Sequence, residues 1–175
     1  LRFDDNRAIM IGWLVFLINN DFNGINMFRR ICVFSGGRAE YGLLKPLLDE
    51  LKDCSDVELK ILVSGTHLSR EFGLTYKEIE RDGFICDEKV EMILSSDTSI
   101  SVCKSMGLGM IGFSDALTRI NPDFLVVLGD RFESMSVVTS ARVCRIPGVH
   151  IQGGEMTLGS IDDHMGHCIT KMRYL

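Results

Sequence analysis

The stretch "PDFLVVLGD", residues 122–130, holds an unbroken apolar run from Phe124 to Leu128 between a Pro-Asp and a Gly-Asp. A strand with one face in water alternates apolar and polar residues, so a run without a polar member must be covered on both faces. That is the condition of an interior strand in a parallel sheet flanked by helices. The Gly-Asp that follows marks a turn at the strand's carboxyl end.

The same alternation of strand and helix extends in both directions. Downstream, "RFESMSVVTSARVCRI" has the composition of a helix that Pro147 stops, "GVHIQGG" reads as the next strand, and "SIDDHMGHCITKMRYL" closes the chain as a helix. Upstream, residues 99–120 form a long helical stretch, preceded by a strand in "KVEMIL". Further back, "VELKILVSG" is a strand and "LTYKEIERDGF" a short charged helix closed by Gly83. The first unit pairs the strand "RRICVFSGG" with "YGLLKPLLDELK", in which Leu43, Leu44, Leu47, Leu48 and Leu51 share one face and Pro46 is expected in the early turns. Five strands separated by helices predict an α/β fold: a doubly wound, parallel, Rossmann-like sheet.

In such a sheet ligands bind beyond the carboxyl ends of the strands. The residues to read are therefore Gly36-Gly37-Arg38, Ser64-Gly65-Thr66-His67, Gly129-Asp130-Arg131 and Gln152-Gly153-Gly154-Glu155. "SGGRAEYG" can bring backbone N–H groups and a helix N-terminus to an anion, or be a tight turn with a solvated arginine. Asp130 suits a general base or a helix cap. "GLGMIG", residues 107–112, has the dinucleotide spacing but follows polar residues at helical spacing rather than a strand, which points to close helix packing. Residues 150–167 gather three of the four histidines with Glu155, Asp162 and Asp163. His164 and His167 lie one helical turn apart, so a metal site is chemically open, but no H-E-x-x-H motif is present and the acids also suit a helix N-terminus.

Composition excludes several classes. A net charge of −5 with scattered Lys and Arg gives no electrostatic footprint for nucleic acid. The apolar run "AIMIGWLVFLI", residues 8–18, is too short to span a bilayer easily and lacks a signal-peptide pattern, so no membrane partner is expected. Met27 is the expected natural start, with residues 1–26 an extension outside the fold and residues 27–175 the folded domain. Six cysteines without a C-x-x-C pair predict reduced, mostly buried thiols and a cytoplasmic protein.

"SGGRAEYGLLKPLL", "LVSGTHLSREFG", "VVLGDRFES", "VHIQGGEMTLGSIDD" and "HCITKM", in this order and spacing, resemble the N-terminal half of the hydrolysing UDP-N-acetylglucosamine 2-epimerases of sialic acid biosynthesis. The resemblance implies one Rossmann-like half of a two-domain fold similar to glycosyltransferase type B, with the second domain outside this chain and little activity for the half alone. It implies conversion of UDP-N-acetylglucosamine and water to N-acetylmannosamine and UDP, without metal or other cofactor, by a homo-oligomer. Asp130, Glu155, Asp162 and Asp163 would be catalytic; Gly37, Arg38, His67, Arg131, His150, Gln152 and His167 would bind substrate. Two positions depart from the family pattern. Gln152 stands where Glu or His is usual and transfers no proton at neutral pH, and Gly166 stands where Arg is common. The alternatives are a 2-epimerase for a di-N-acetylated deoxy UDP-sugar, a non-catalytic half-domain that binds sugar nucleotide, and metal-dependent hydrolysis.

Overall fold

A computed structural model describes residues 28–152 and 161–172. The elements run β1 (Arg29–Ser35), α1 (Arg38–Asp53), β2 (Val57–Ser64), a 3-10 turn (Gly65–Leu68), α2 (Tyr76–Arg81), β3 (Glu88–Val90), α3 (Ser99–Ile120), β4 (Phe124–Leu128), α4 (Phe132–Val143), β5 (Gly148–Ile151) and α5 (Ile161–Met172). All strand pairs are parallel and the sheet order is β3-β2-β1-β4-β5. The expected doubly wound sheet is therefore present, and its order reverses between β1 and β4.

The apolar runs are explained by burial on both faces. Ile31 and Val33 of β1, with Val126 and Leu128 of β4, pack with Leu44, Leu47, Leu48 and Leu51 of α1. Their neighbours Cys32, Phe34, Leu125 and Val127 point the other way, into Phe113, Leu117, Val137 and Ile169 of α3, α4 and α5. Phe34 meets Phe113 edge-on, with ring centroids 5.6 Å apart. Each such buried side chain contributes about 1.5–3 kcal/mol through area removed from water, so two layers of helix are needed to stabilise one sheet.

"GLGMIG" lies inside α3 and its glycines serve packing. A Cβ on Gly112 would fall 2.5 Å from Val90 Cγ1, and one on Gly109 2.8 Å from Met92 Cε. Gly112→Val is expected to lower stability by about 2–3 kcal/mol through overpacking against β3, read as a lower midpoint in urea; an unchanged midpoint would show that α3 can move away.

Four local expectations are corrected. The strand predicted in "KVEMIL" is Glu88–Val90 only, because beyond it the Leu94 N–H turns to Ser105 Oγ of α3, 3.1 Å away. Helix α1 begins at Arg38, so Pro46 is in its interior rather than its early turns. The carbonyl it leaves without an N–H partner belongs to Gly42, which is exposed to water. Helix α4 ends at Val143, ahead of Pro147, with Arg145 left-handed (φ 62°) and Ile146 N–H donated to Ala141 O. The cysteines are unpaired as expected, but only Cys32 is buried, while Cys103, Cys144 and Cys168 are exposed on or just beyond helices. No helix among the described residues is long and apolar enough to cross a membrane.

Candidate functional site

The point where strand order reverses places the carboxyl ends of β1 and β4 side by side. Beyond β1 lies the Gly36-Gly37 turn, which is held from several sides. Thr66 donates both its N–H (2.9 Å) and its hydroxyl (3.2 Å) to Gly36 O. Gly36 N–H donates to Glu40 Oε2 at 2.7 Å, so a glutamate of the first helical turn reaches back over the turn as in a capping box. Gly37 is the N-cap residue of α1 and carries no capping side chain. The helix N-terminus behind it favours an anion. Arg38, the first residue of α1, is largely exposed and paired with Glu78 at 3.1 Å.

His67 is beneath this turn rather than on it. It is fully buried, with Nε2 2.9 Å from Ser35 Oγ and Nδ1 2.7 Å from Thr75 Oγ1. Ser35 Oγ donates to Gly37 O at 3.3 Å, so it accepts from Nε2–H, and Nδ1 accepts from Thr75. Burial pushes the imidazole down to about 4, which keeps it neutral at pH 7. In this position His67 is held between Ser35 and Thr75 and leaves no side-chain surface open to solvent.

Beyond β4, Gly129 is left-handed (φ 79°) and turns the chain so that half-buried Asp130 and then Arg131 follow the strand. Arg131 forms a two-pronged pair with Glu133, both contacts at 3.1 Å. Glu133 is completely buried, whereas the Arg131 side chain is half exposed. Burial works against the Arg131 charge, but Glu133 more than offsets this and holds the guanidinium above its ordinary value. A fixed cation thus borders the crevice next to Asp130.

Helix α5 closes the other side. Asp162, Gly166 and Thr170 are spaced by four and share one face. Thr170 Oγ1 is 2.9 Å from His150 Nδ1, and His150 Nε2–H donates to Gly129 O at 2.8 Å. His150 is buried and ties the ends of β4 and β5 to α5, a positioning place rather than an open one. Gly166 lies directly on Asp130: a Cβ there would come 3.0 Å from Asp130 Cβ. Asp162 is half-buried and its charge acts on Arg131. Gln152 is exposed at the end of β5 with φ 58°. His164 and His167 are exposed on α5. Asp163 is in the first turn of α5, and Glu155 lies outside the described residues. No three His, Cys, Asp or Glu side chains among the described residues gather as a metal-holding group.

The structure therefore brings the turns after β1 and β4 against α5, with Glu133 of the Arg131 fork against Gly36, Asp130 against Gly166 and Asp162 acting on Arg131, while Arg38 is largely exposed and paired with Glu78. Sequence reading overlooked Glu40, Glu133 and Ser35, all buried here. Glu40 had a local signal, its capping-box spacing after Gly-Gly; the His67–Ser35 contact had none.

A parallel sheet whose polar turns converge at the reversal of strand order defines a Rossmann-like fold. The sequence profile of the UDP-N-acetylglucosamine 2-epimerases matches residues 49–175, and the chain belongs to that family. It is 48% identical over 147 residues to a GDP/UDP-N,N'-diacetylbacillosamine 2-epimerase (hydrolyzing) of Campylobacter jejuni, covering 84% of this chain and 38% of that protein. It is 35% identical to the polysialic acid biosynthesis protein P7 of Escherichia coli, again over 84% of this chain and 38% of the relative. The crystal structure of the Neisseria meningitidis UDP-GlcNAc 2-epimerase bound to UDP-GlcNAc superimposes with a TM-score of 0.71 at 16% identity, over 82% of this chain and 39% of that one. The chain thus spans about two fifths of the length of these relatives.

Proposed function

We propose that this chain forms the N-terminal half of a hydrolysing UDP-sugar 2-epimerase, and that the crevice between β1, β4 and α5 is one wall of its substrate cleft. The observation that carries the reading is the adjacency of Asp130, a carboxylate at a strand end, to Arg131, a cation fixed by a buried acid. A base beside a cation suits a reaction that removes a proton and expels an anion. In this reading Asp130 takes the proton from C2 of the sugar as the C1–O bond to UDP breaks. Water then adds at C1 while a proton returns to C2 on the opposite face. The net change is UDP-N-acetylglucosamine and water to N-acetylmannosamine and UDP, a step of amino-sugar and sialic acid biosynthesis.

Arg131, the Gly36-Gly37 turn and Arg38 are assigned to the diphosphate. Glu155, Asp162, Asp163, Gln152 and His167 are assigned to the sugar side, with His150 and His67 holding the loops. The protein is proposed to be cytoplasmic, without a metal or other cofactor, and to assemble as a homo-oligomer; exposed Ile100, Leu108 and Ile111 along α3 favour the last.

A second substrate is favoured by a specific observation, the 48% identity to a diacetylbacillosamine 2-epimerase. The two readings share the chemistry at C1 and C2 and differ at C4 and C6 of the sugar. The test is UDP release by the complete protein that contains this chain, with each sugar nucleotide in turn and the sugar product identified by mass. Turnover of one at least about tenfold faster than the other is expected and names the substrate. Binding without release of UDP from either would favour the non-catalytic half-domain, and neither binding nor release would overturn the proposal.

A further inference from the structure

Two buried glutamates, Glu40 and the Glu133 that holds Arg131, flank Gly36. Gly36 is wedged between them: a Cβ on it would lie 3.3 Å from Glu133 Cβ and 3.4 Å from Glu40 Oε2. Glu133 is fully buried and Glu40 is 7% exposed. Glu133 spends both oxygens on the Arg131 fork. Glu40 spends Oε2 on Gly36 N–H, while its buried Oε1 has no hydrogen-bond partner among the described residues. An ionised carboxylate left in this state is costly, and protonation removes the charge at the smaller cost of a buried hydroxyl. The other charges around the pair are Asp162 on α5, which acts on Arg131, the exposed Arg38–Glu78 pair, and His67, which is neutral.

We propose that Glu40, next to Glu133, carries the one proton of this carboxyl pair behind Arg131, so that an anionic ligand drawing the guanidinium into the crevice also draws a proton onto Glu40. One cation compensates one carboxylate of the two, and the proton compensates the other. When Arg131 turns towards a diphosphate, Glu40 loses part of the cation that lowers its carboxyl while the Glu133 charge that raises it stays, so Glu40 binds a proton from solvent more tightly. Burial first, and then the Glu133 charge, push the Glu40 carboxyl up to about 7 against the pull of the Gly36 N–H, which puts the exchange in a measurable range. Glu40 is on this account a positioning residue that makes ligand binding proton-linked. The inference rests on the crevice being the diphosphate site.

The test is calorimetric titration of the complete protein, in buffers of different ionisation enthalpy, with an analogue of UDP-N-acetylglucosamine whose C1–O bond is replaced by C1–CH2, which cannot release UDP and whose diphosphate does not titrate near neutrality. At pH 8, where the pair is mostly deprotonated, uptake of about half a proton or more per ligand is expected. At pH 5.5, where it already holds its proton, uptake falls to about zero. Glu40→Gln keeps an acceptor for Gly36 N–H and imitates the protonated acid, so binding remains while uptake at pH 8 disappears. Carbon NMR of the glutamate carboxyls, without ligand, should show one group titrating near neutrality that is absent in Glu40→Gln. Binding with no proton uptake, or uptake unchanged in Glu40→Gln, overturns the inference and leaves the proposed function standing. Absence of binding overturns both.

Discussion

Exchange of Asp130 for asparagine is expected to lower the turnover of a UDP-sugar by the complete protein about 10³-fold with little change in KM. The two side chains have nearly the same shape, so the contact with Gly166 at the Cβ of residue 130 survives the exchange. What is lost is proton acceptance, since an amide oxygen does not act as a base at neutral pH. The side chain is half-buried at the end of β4, outside the two core clusters, so the folded state should be retained, with circular dichroism and the urea midpoint near those of the parent. A variant that keeps turnover within about tenfold of the parent would remove Asp130 from the acid/base role and transfer the question to Glu155, Asp162 or Asp163.

The second large effect is on the fold. Gly65, at the start of the 3-10 turn, has φ +61°, and a Cβ there would come within 3.0 Å of Gly36 O and 3.2 Å of Glu133 Oε1. Gly65→Ala therefore combines a left-handed residue with a clash against backbone that is itself held by Thr66. Neither partner can move without opening the Gly36-Gly37 turn or exposing the Glu133 carboxylate. A loss of about 3 kcal/mol or more is expected, read as a fall in the urea midpoint, together with weakened binding of anions. Gly73→Ala is the control, because Gly73 has φ +84° with nothing within 4 Å of its Cβ position. It isolates the conformational cost, expected at about 1 kcal/mol. Equal losses in the two variants would mean that the contact between Gly65 and Gly36 contributes nothing of its own.

Proton linkage and these two substitutions concern the same few ångströms of the molecule. The Gly36-Gly37 turn lies above Ser35 and His67, beside Glu40 and Glu133, and across from Asp130. Its hydrogen bonds go to three different elements: Ser35 at the end of β1, Thr66 in the 3-10 turn, and Glu40 and Tyr41 in α1. That explains why a turn rich in glycine, which pays the largest entropy on ordering, still has one conformation. It also suggests where binding energy is directed, since a pre-formed turn gives up little further freedom when a ligand arrives.

The departure at Gly166 acquires a physical meaning in this setting. Along the sequence it stands where an arginine is common, so a cation is missing. In the fold, Gly166 also sets how closely α5 approaches Asp130, because any Cβ at that position presses on the aspartate at 3.0 Å. The same residue therefore affects both the charge and the spacing of the crevice.

What the sequence by itself determined was the sheet, its parallel sense and the edge at which its polar turns gather. Strands such as Phe124–Leu128 are apolar on both faces, and burial on both faces is written in consecutive residues, so a short window suffices to read it. The glycines and acids after each strand are legible for the same reason, since a turn and a cap are local events. Only the tertiary structure decided that His67 and His150 support loops, that Glu133 fastens Arg131, and that Glu40 shares a buried corner with Glu133. Those outcomes depend on the distances between charges and hydrogen-bonding groups from different strands and helices, which are set when the sheet and its two helical layers close on each other and have no counterpart in the spacing along the chain.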